Sequence, residues 1–333
     1  MRTHKSLPLA LTVMMVAASV AGWASENKKK DVDAIGNRRV AHRSIISEQK
    51  EIAVGKQYAT EIDRSARIVK DPVINEYVNR VAQNVARNSD LKIPLTVKII
   101  DSPDINAFAL PGGFLYVNTG LLQAANEEDQ LAGVIAHEIA HVAARHWASQ
   151  MTKATILQYA MIPLMLTPMS MGVYYGVMEA YMNGIPLAFL KFSRDDEAEA
   201  DYLGIQYMYK AGYDPNAYVA FFGKIVQEQR RSPGSVPSIF ADHPPTPARI
   251  IKAEQEIQNV LPKRSEYLVS TSEFNDMKTR LESVMSLRKK MDKSENGPTL
   301  QKRQPKTTTS PTTQPSGQQN PEDDKPPVLK RRD

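Results

Sequence analysis

His137-Glu138-Ile139-Ala140-His141 is the stretch whose residue types and spacing best suit chemistry. At about 3.6 residues per helical turn, side chains four apart lie on neighbouring positions of one face. Both imidazoles can therefore reach one cation. Glu138 stands beside them, placed to take a proton from metal-bound water. Zinc lowers the pKa of such a water to about 7, which water alone never approaches. The flanks, Leu131 to Ala136 and Val142 to Ala144, are mostly small and apolar. Charged groups buried on such a helix need partners. The pattern predicts a Zn2+ site, one per chain, with His137 and His141 as ligands and Glu138 as general base.

A catalytic zinc commonly takes three protein ligands and keeps one position open. His146 follows His137 by nine residues, which rotates it about half a turn away. The longer zinc motif would need Gly at 143 and His at 147, where this chain has Ala143 and Trp147. A packing or hydrogen-bonding role is expected for His146. Glu197 lies in Ser193-Arg-Asp-Asp-Glu-Ala-Glu-Ala-Asp201, four residues before Asp201. Glu197 would complete a His-His-Glu set, and Asp201 would accept from a ligand histidine and fix its tautomer. Ala198 and Ala200 leave room for close helix packing. The same run also reads as a solvated acidic face, and residue physics does not separate the two. Glu199 is expected to be exposed. His243 and Arg249 sit in Asp242-His-Pro-Pro-Thr-Pro-Ala-Arg249, stiffened by three prolines. They could stabilise the developing oxyanion. His243 could instead fill the open zinc position and hold the enzyme latent, or the segment could be a plain surface loop.

The elements that must position these groups are legible in outline. Ser47 to Glu51 opens a helical pattern, and a second runs from about Pro72 to Asn88. Leu95 to Ile100 alternates as a strand. Two β-prone runs, 106–110 and 114–118, flank Pro111-Gly112-Gly113 as a hairpin. The zinc helix is expected from an Asn126 cap to about Gln150, with Glu127, Glu128 and Asp129 in its first turn. Another helix should run from Ser193 to Gly212, with Pro215 beyond. Residues 154–190 are strongly apolar but broken by Pro163, Pro168 and Pro186. Buried core helices are the favoured reading there; a membrane-facing or substrate-facing surface is the other.

Both ends read as non-globular. Arg2, His4 and Lys5 precede an apolar run to Ala24, the plan of a secretory signal peptide cleaved after Ala24 or Ala21; an uncleaved anchor is the alternative. Residues 25–44 read as a linker, 45–290 as a metallopeptidase domain, and 291–333 as a disordered Pro/Thr/Gln-rich tail. The 333 residues include no cysteine, which excludes disulfides, thiolate ligands and a lipidated cysteine. The formal net charge of +5 is concentrated in basic runs at the ends. Such charge allows peripheral contact with a membrane surface, and no nucleic-acid module accompanies it.

Taken together, His137 to His141 with Arg145-His146, Phe192 to Asp201, His243-Pro with Arg249, Asn106 to Gly113, and Tyr267 to Phe274 with Lys278 and Arg280 resemble a metallopeptidase family. That family includes HtpX, mitochondrial Oma and BepA, and the likeness is nearest its periplasmic BepA-type branch. The resemblance covers roughly 45–290. It implies an α+β, mainly helical, zincin-like (gluzincin) fold with a small β-sheet. It implies Glu197 as third ligand, and His243 and Arg249 as active-site loop residues. It also implies that 106–110 form the edge strand beside the cleft. A periplasmic endopeptidase acting on misfolded or unassembled outer-membrane proteins follows. A chaperone-like holding protein for unfolded envelope proteins is the competing function. The BepA-type tetratricopeptide-repeat domain has no counterpart in this sequence, so its docking role is not carried over.

Overall fold

The computed structural model describes residues 31–167, 169–179, 191–231, 243 and 246–295. The expected signal peptide, the end of the apolar segment, most of the proline loop and nearly all of the expected tail lie outside them. The described helices are α1 Glu48–Ser65, α2 Pro72–Arg87, α3 Thr119–Ala124, α4 Glu128–Ala144, α5 His146–Met165, α6 Met171–Glu179, α7 Arg194–Ala211, α8 Asn216–Arg231, α9 Pro247–Val260 and α10 Ser272–Glu295. The strands are β1 Thr96–Ile100, β2 Ala107–Leu110 and β3 Phe114–Asn118. The architecture is the expected α+β, mainly helical one. One compact unit ends at Leu287, and a second begins at Arg288.

The sheet has the order β1-β3-β2, with β1 parallel and β2 antiparallel to β3. The predicted hairpin forms. Gly112 and Gly113 take positive φ in its turn, where a Cβ on Gly113 would lie 2.4 Å from the Pro94 carbonyl oxygen. Ile74, Val78, Val81 and Val85 of α2 share one buried core with Ile99, Leu115 and Val117 of the sheet. Each such burial is worth about 1.5–3 kcal/mol. Fifteen of the 17 residues of α4 are buried. A helix enclosed on nearly every side has no need of a solvated face, which is why Leu131 to Ala144 are mostly small and apolar apart from His137, Glu138 and His141.

Three expectations are corrected. The zinc helix is capped by Glu127 rather than Asn126, without a side-chain bond, and stops at Ala144. Arg145 adopts φ 58° and ψ 41°, and α5 starts afresh at His146. That left-handed residue costs roughly 1–2 kcal/mol. Hydrogen bonds from Arg145 to the Glu51 carboxylate at 2.6 Å and the Ile46 carbonyl at 2.7 Å offset it. Residues 31–44 do not behave as a linker, because Val32, Ile35 and Val40 join the core. The His42 N–H also donates to the Ala144 carbonyl at 2.9 Å, satisfying an open end of α4. Finally, the described part of the apolar segment is not a buried core. Ile156, Leu157, Tyr159, Leu166, Met171, Val173 and Tyr175 are exposed, and no residue of α6 is buried. Apolar composition announces burial without saying what does the burying. Among the described residues, no helix is long and apolar enough to cross a membrane.

Candidate metal centre

Two helices build the site. α4 presents His137 and His141 from one face. α7 presents Glu197 and Asp201, and its first turn is fixed by a capping box between Ser193 and Asp196. The helices approach closely because α7 carries Gly204 against the backbone of His137, where even a Cβ would be only 3.2 Å from the His137 nitrogen.

Three donors converge between them. His137 Nε2 and His141 Nε2 are 3.1 Å apart. Glu197 offers Oε2 at 3.5 Å from the first and Oε1 at 3.5 Å from the second. A tetrahedral zinc with bonds of about 2.0–2.1 Å keeps its donors roughly 3.3 Å apart, so the set has the right span. The remaining ring nitrogens are engaged elsewhere. His137 Nδ1 faces Asp201 Oδ1 at 3.1 Å and the Tyr218 hydroxyl at 3.3 Å; His141 Nδ1 faces His146 Nδ1 at 2.9 Å. Both Nε2 lone pairs are thus free to meet a cation. Glu138 Oε1 is buried without a hydrogen-bond partner, a costly state that a metal-bound water would relieve.

The two carboxylates are driven apart. Burial pushes the Glu138 pKa up against the pull of His243 and His137. Burial also opposes ionisation of Glu197, but the neighbouring His137 and His243 outweigh it and hold its pKa far below the usual range. One group is suited to accept and release a proton, the other to remain an anionic ligand. Glu138 Oε2 accepts the backbone N–H of Ala109 at 3.0 Å, which ties the base to the outer strand of the sheet.

Asp201 does more than touch His137. Arg249 grips it with Nε at 2.7 Å and Nη2 at 2.6 Å, and Tyr218 donates a short hydrogen bond. Burial opposes this carboxylate too, yet Arg249 and His137 hold its pKa down to about 2. Arg249 also brings Nη1 to 2.9 Å from Glu197 Oε2, so its guanidinium braces ligand and orienting acid together. His243 enters the same cluster, with Nδ1 2.7 Å from Glu197 Oε1 and Nε2 3.8 Å from Glu138 Oε1. His137, His141, Glu197 and His243 together form one group able to hold a metal ion.

His137, Glu138, His141, Glu197, Asp201, His243 and Arg249 therefore lie together in this cluster, joined by neighbours to which the sequence assigned no role there. Tyr218 belongs to α8, where it reads as one more core aromatic beside Phe221 and Phe222. Phe192 stacks on His141 with ring centres 4.2 Å apart. Glu199, expected to be exposed, instead pairs with His42 at 2.6 Å, and its side chain is only 18% exposed.

The sequence pattern of Peptidase family M48 matches residues 72–257. The chain is 27% identical over 264 residues to the beta-barrel assembly-enhancing protease of Escherichia coli K12, covering 78% of this chain and 54% of that protein. It is 32% identical over 260 residues to a putative beta-barrel assembly-enhancing protease of Vibrio cholerae, covering 76% and 52%. It is 35% identical over 191 residues to the mitochondrial metalloendopeptidase OMA1 of Schizosaccharomyces pombe, covering 56% and 54%. The chain thus spans about half the length of these curated relatives. Since the pattern extends over more than half of the 333 residues and takes in both helices that supply the converging donors, the chain belongs to peptidase family M48.

Proposed function

We propose that this protein is a zinc-dependent endopeptidase in which His137, His141 and Glu197 hold the metal and Glu138 is the general base. Zinc bound there supplies a Lewis acid and a water of lowered pKa. Glu138 Oε1 takes the proton of the attacking water and delivers it to the departing amine. Asp201, clamped by Arg249, keeps His137 in the tautomer that leaves Nε2 free. An extended peptide pairs along β2, whose Ala109 already meets the base. The observation that carries this reading is the buried, unpartnered Oε1 of Glu138 beside three converging donors. Purified protein incubated with unfolded casein should cleave it, stop on chelation and recover with zinc. Glu138→Gln should lose at least about 100-fold in rate, the usual worth of a positioned proton acceptor. Cleavage indifferent to both treatments overturns the mechanism.

The name beta-barrel assembly-enhancing protease, carried by two of the relatives, supports a role beside β-barrel assembly; with the secretory plan of residues 1–24, this reading takes misfolded or unassembled outer-membrane proteins as substrates and the periplasm as the location. His243 is read as a latch on the metal centre, a role supported by its contact with Glu197. His243→Ala should raise basal casein cleavage; a fall would assign His243 to transition-state stabilisation instead. The exposed apolar residues of α5 and α6 favour a second reading, in which that surface holds unfolded envelope proteins or rests on a membrane surface. A Glu138→Gln chain that fully replaces the parent in cells would favour holding over cutting.

A further inference from the structure

We infer that Glu199 and His42, acting through His146, are positioning residues that fix the tautomer and ring orientation of His141. The inference rests on the reading of His141 as a metal ligand.

The chain of contacts leaves one consistent arrangement of protons. A ligating His141 has no proton on Nε2, the atom that faces His137 and Glu197, so its proton is on Nδ1. Nδ1 lies 2.9 Å from His146 Nδ1. Only one of two facing ring nitrogens can donate, so His146 Nδ1 accepts and the proton of His146 is on Nε2. That atom is 3.5 Å from Glu199 Oε2, an acceptor. The same oxygen accepts from His42 Nε2 at 2.6 Å. Each member settles the tautomer of the next, from the metal ligand outward to His42, whose side chain is 36% exposed. Phe192 stacks on His141 and confines the ring it helps to aim.

Backbone structure holds the chain together. The left-handed turn at Arg145 starts α5 at His146, beside the end of α4. His42 is pinned by its N–H to the Ala144 carbonyl, and Ser44 by its hydroxyl to the Ala148 carbonyl at 3.0 Å. A residue of the N-terminal segment, one of α5 and one of α7 thereby converge behind His141.

His42 Nε2, His146 Nε2 and Glu199 Oε2 also have the chemistry of a second cation site. Ligation through His146 Nε2 would strip the ring of its last proton while Nδ1 accepts from His141. That demands an imidazolate, so the hydrogen-bond chain is the better account.

The test uses the full chain and two metals. Zinc affinity is measured by competition with a chromophoric chelator, and the visible absorption of the cobalt-substituted protein reports ligand geometry. Thermal unfolding of the metal-free variants separates folding from metal binding. Glu199→Ala should weaken zinc binding about 10-fold, within the range found for outer-shell partners of ligand histidines, and shift the cobalt bands. His42→Ala should weaken it less, and His42→Gln, whose amide can donate to Glu199, should restore part of the loss. Unchanged affinity and cobalt spectra in both alanine variants overturn the inference. So does a parent that binds two zinc ions and loses one in His42→Ala, which would establish the second cation site. A parent that binds no metal sinks the metal-centre reading and this inference with it.

Discussion

Two adjacent acids at the start of α4 show how much a partner matters at the scale of one residue. Glu128 is buried but accepts from the hydroxyls of Tyr77 at 2.6 Å and Tyr213 at 2.9 Å, and from Thr271. Asp129, 2% exposed, has an Oδ1 that is buried without a hydrogen bond. Burial, and next the charge of Glu127, push its pKa up to about 7. The unfolded value is about 3.9, so the folded chain binds this proton more tightly. The stability it contributes is complete below pH 4 and is lost as pH rises to 7. Asp129→Asn, which keeps the shape and removes the charge, should therefore gain on the parent by roughly 1–2 kcal/mol between pH 5 and pH 8, after discounting the favourable field of the helix start. Urea unfolding of the metal-free proteins at the two pH values measures this. A difference that does not change with pH would show Asp129 to be ionised throughout.

At the scale of elements, the site depends on how closely α7 lies against α4. Gly204 is three residues past Asp201, and its Cα faces the backbone of His137. In Gly204→Ala the new Cβ would meet the His137 nitrogen at 3.2 Å and Cα at 3.3 Å, so one helix must give by a few tenths of an ångström. Overpacking of this kind costs about 1–3 kcal/mol. Because the strain falls between the two ligand-bearing helices, metal affinity should drop several-fold more than in a matched substitution of similar stability cost on α2, such as Val78→Ala. Equal affinities in the two would detach metal binding from this contact. Much of this geometry was readable beforehand. The Ser193 cap, the Gly212 stop and the Pro111-Gly112-Gly113 turn are local signals, written within a few residues of where they act. The break at Arg145 was not readable, because the groups that stabilise it, Glu51 and Ile46, lie in another part of the chain. Glu199 looked exposed for the same reason, since its partner His42 is 157 residues away.

At the scale of the compact unit, the segment 31–44 is where distant parts are joined. Arg38 bonds to Asp90 Oδ2 at 2.7 Å and to Gln206 Oε1 at 2.6 Å, with the Arg38 and Asp90 side chains 1% and 0% exposed. Asp90 also accepts from the Gly36 N–H at 2.8 Å and the Tyr207 hydroxyl at 3.0 Å. The N-terminal segment, the residues just after α2 and the middle of α7 therefore meet in one network. Arg38→Met keeps much of the apolar stem but leaves the Asp90 charge with neutral donors alone. Breaking one side of a buried pair costs about 3–5 kcal/mol, more than the pair itself contributes. Adding Asp90→Asn removes the stranded charge; with its oxygen in the Oδ1 place it still accepts from the Gly36 N–H, and its NH2 in the Oδ2 place can donate to the Tyr207 hydroxyl. The double variant should recover at least half of the loss measured by urea unfolding, a coupling that independent sites do not show. If the double variant is as unstable as Arg38→Met alone, the cost lies in lost packing around the arginine stem. The same segment carries His42, so its loosening should also weaken metal binding, and Asp90→Asn should restore both together.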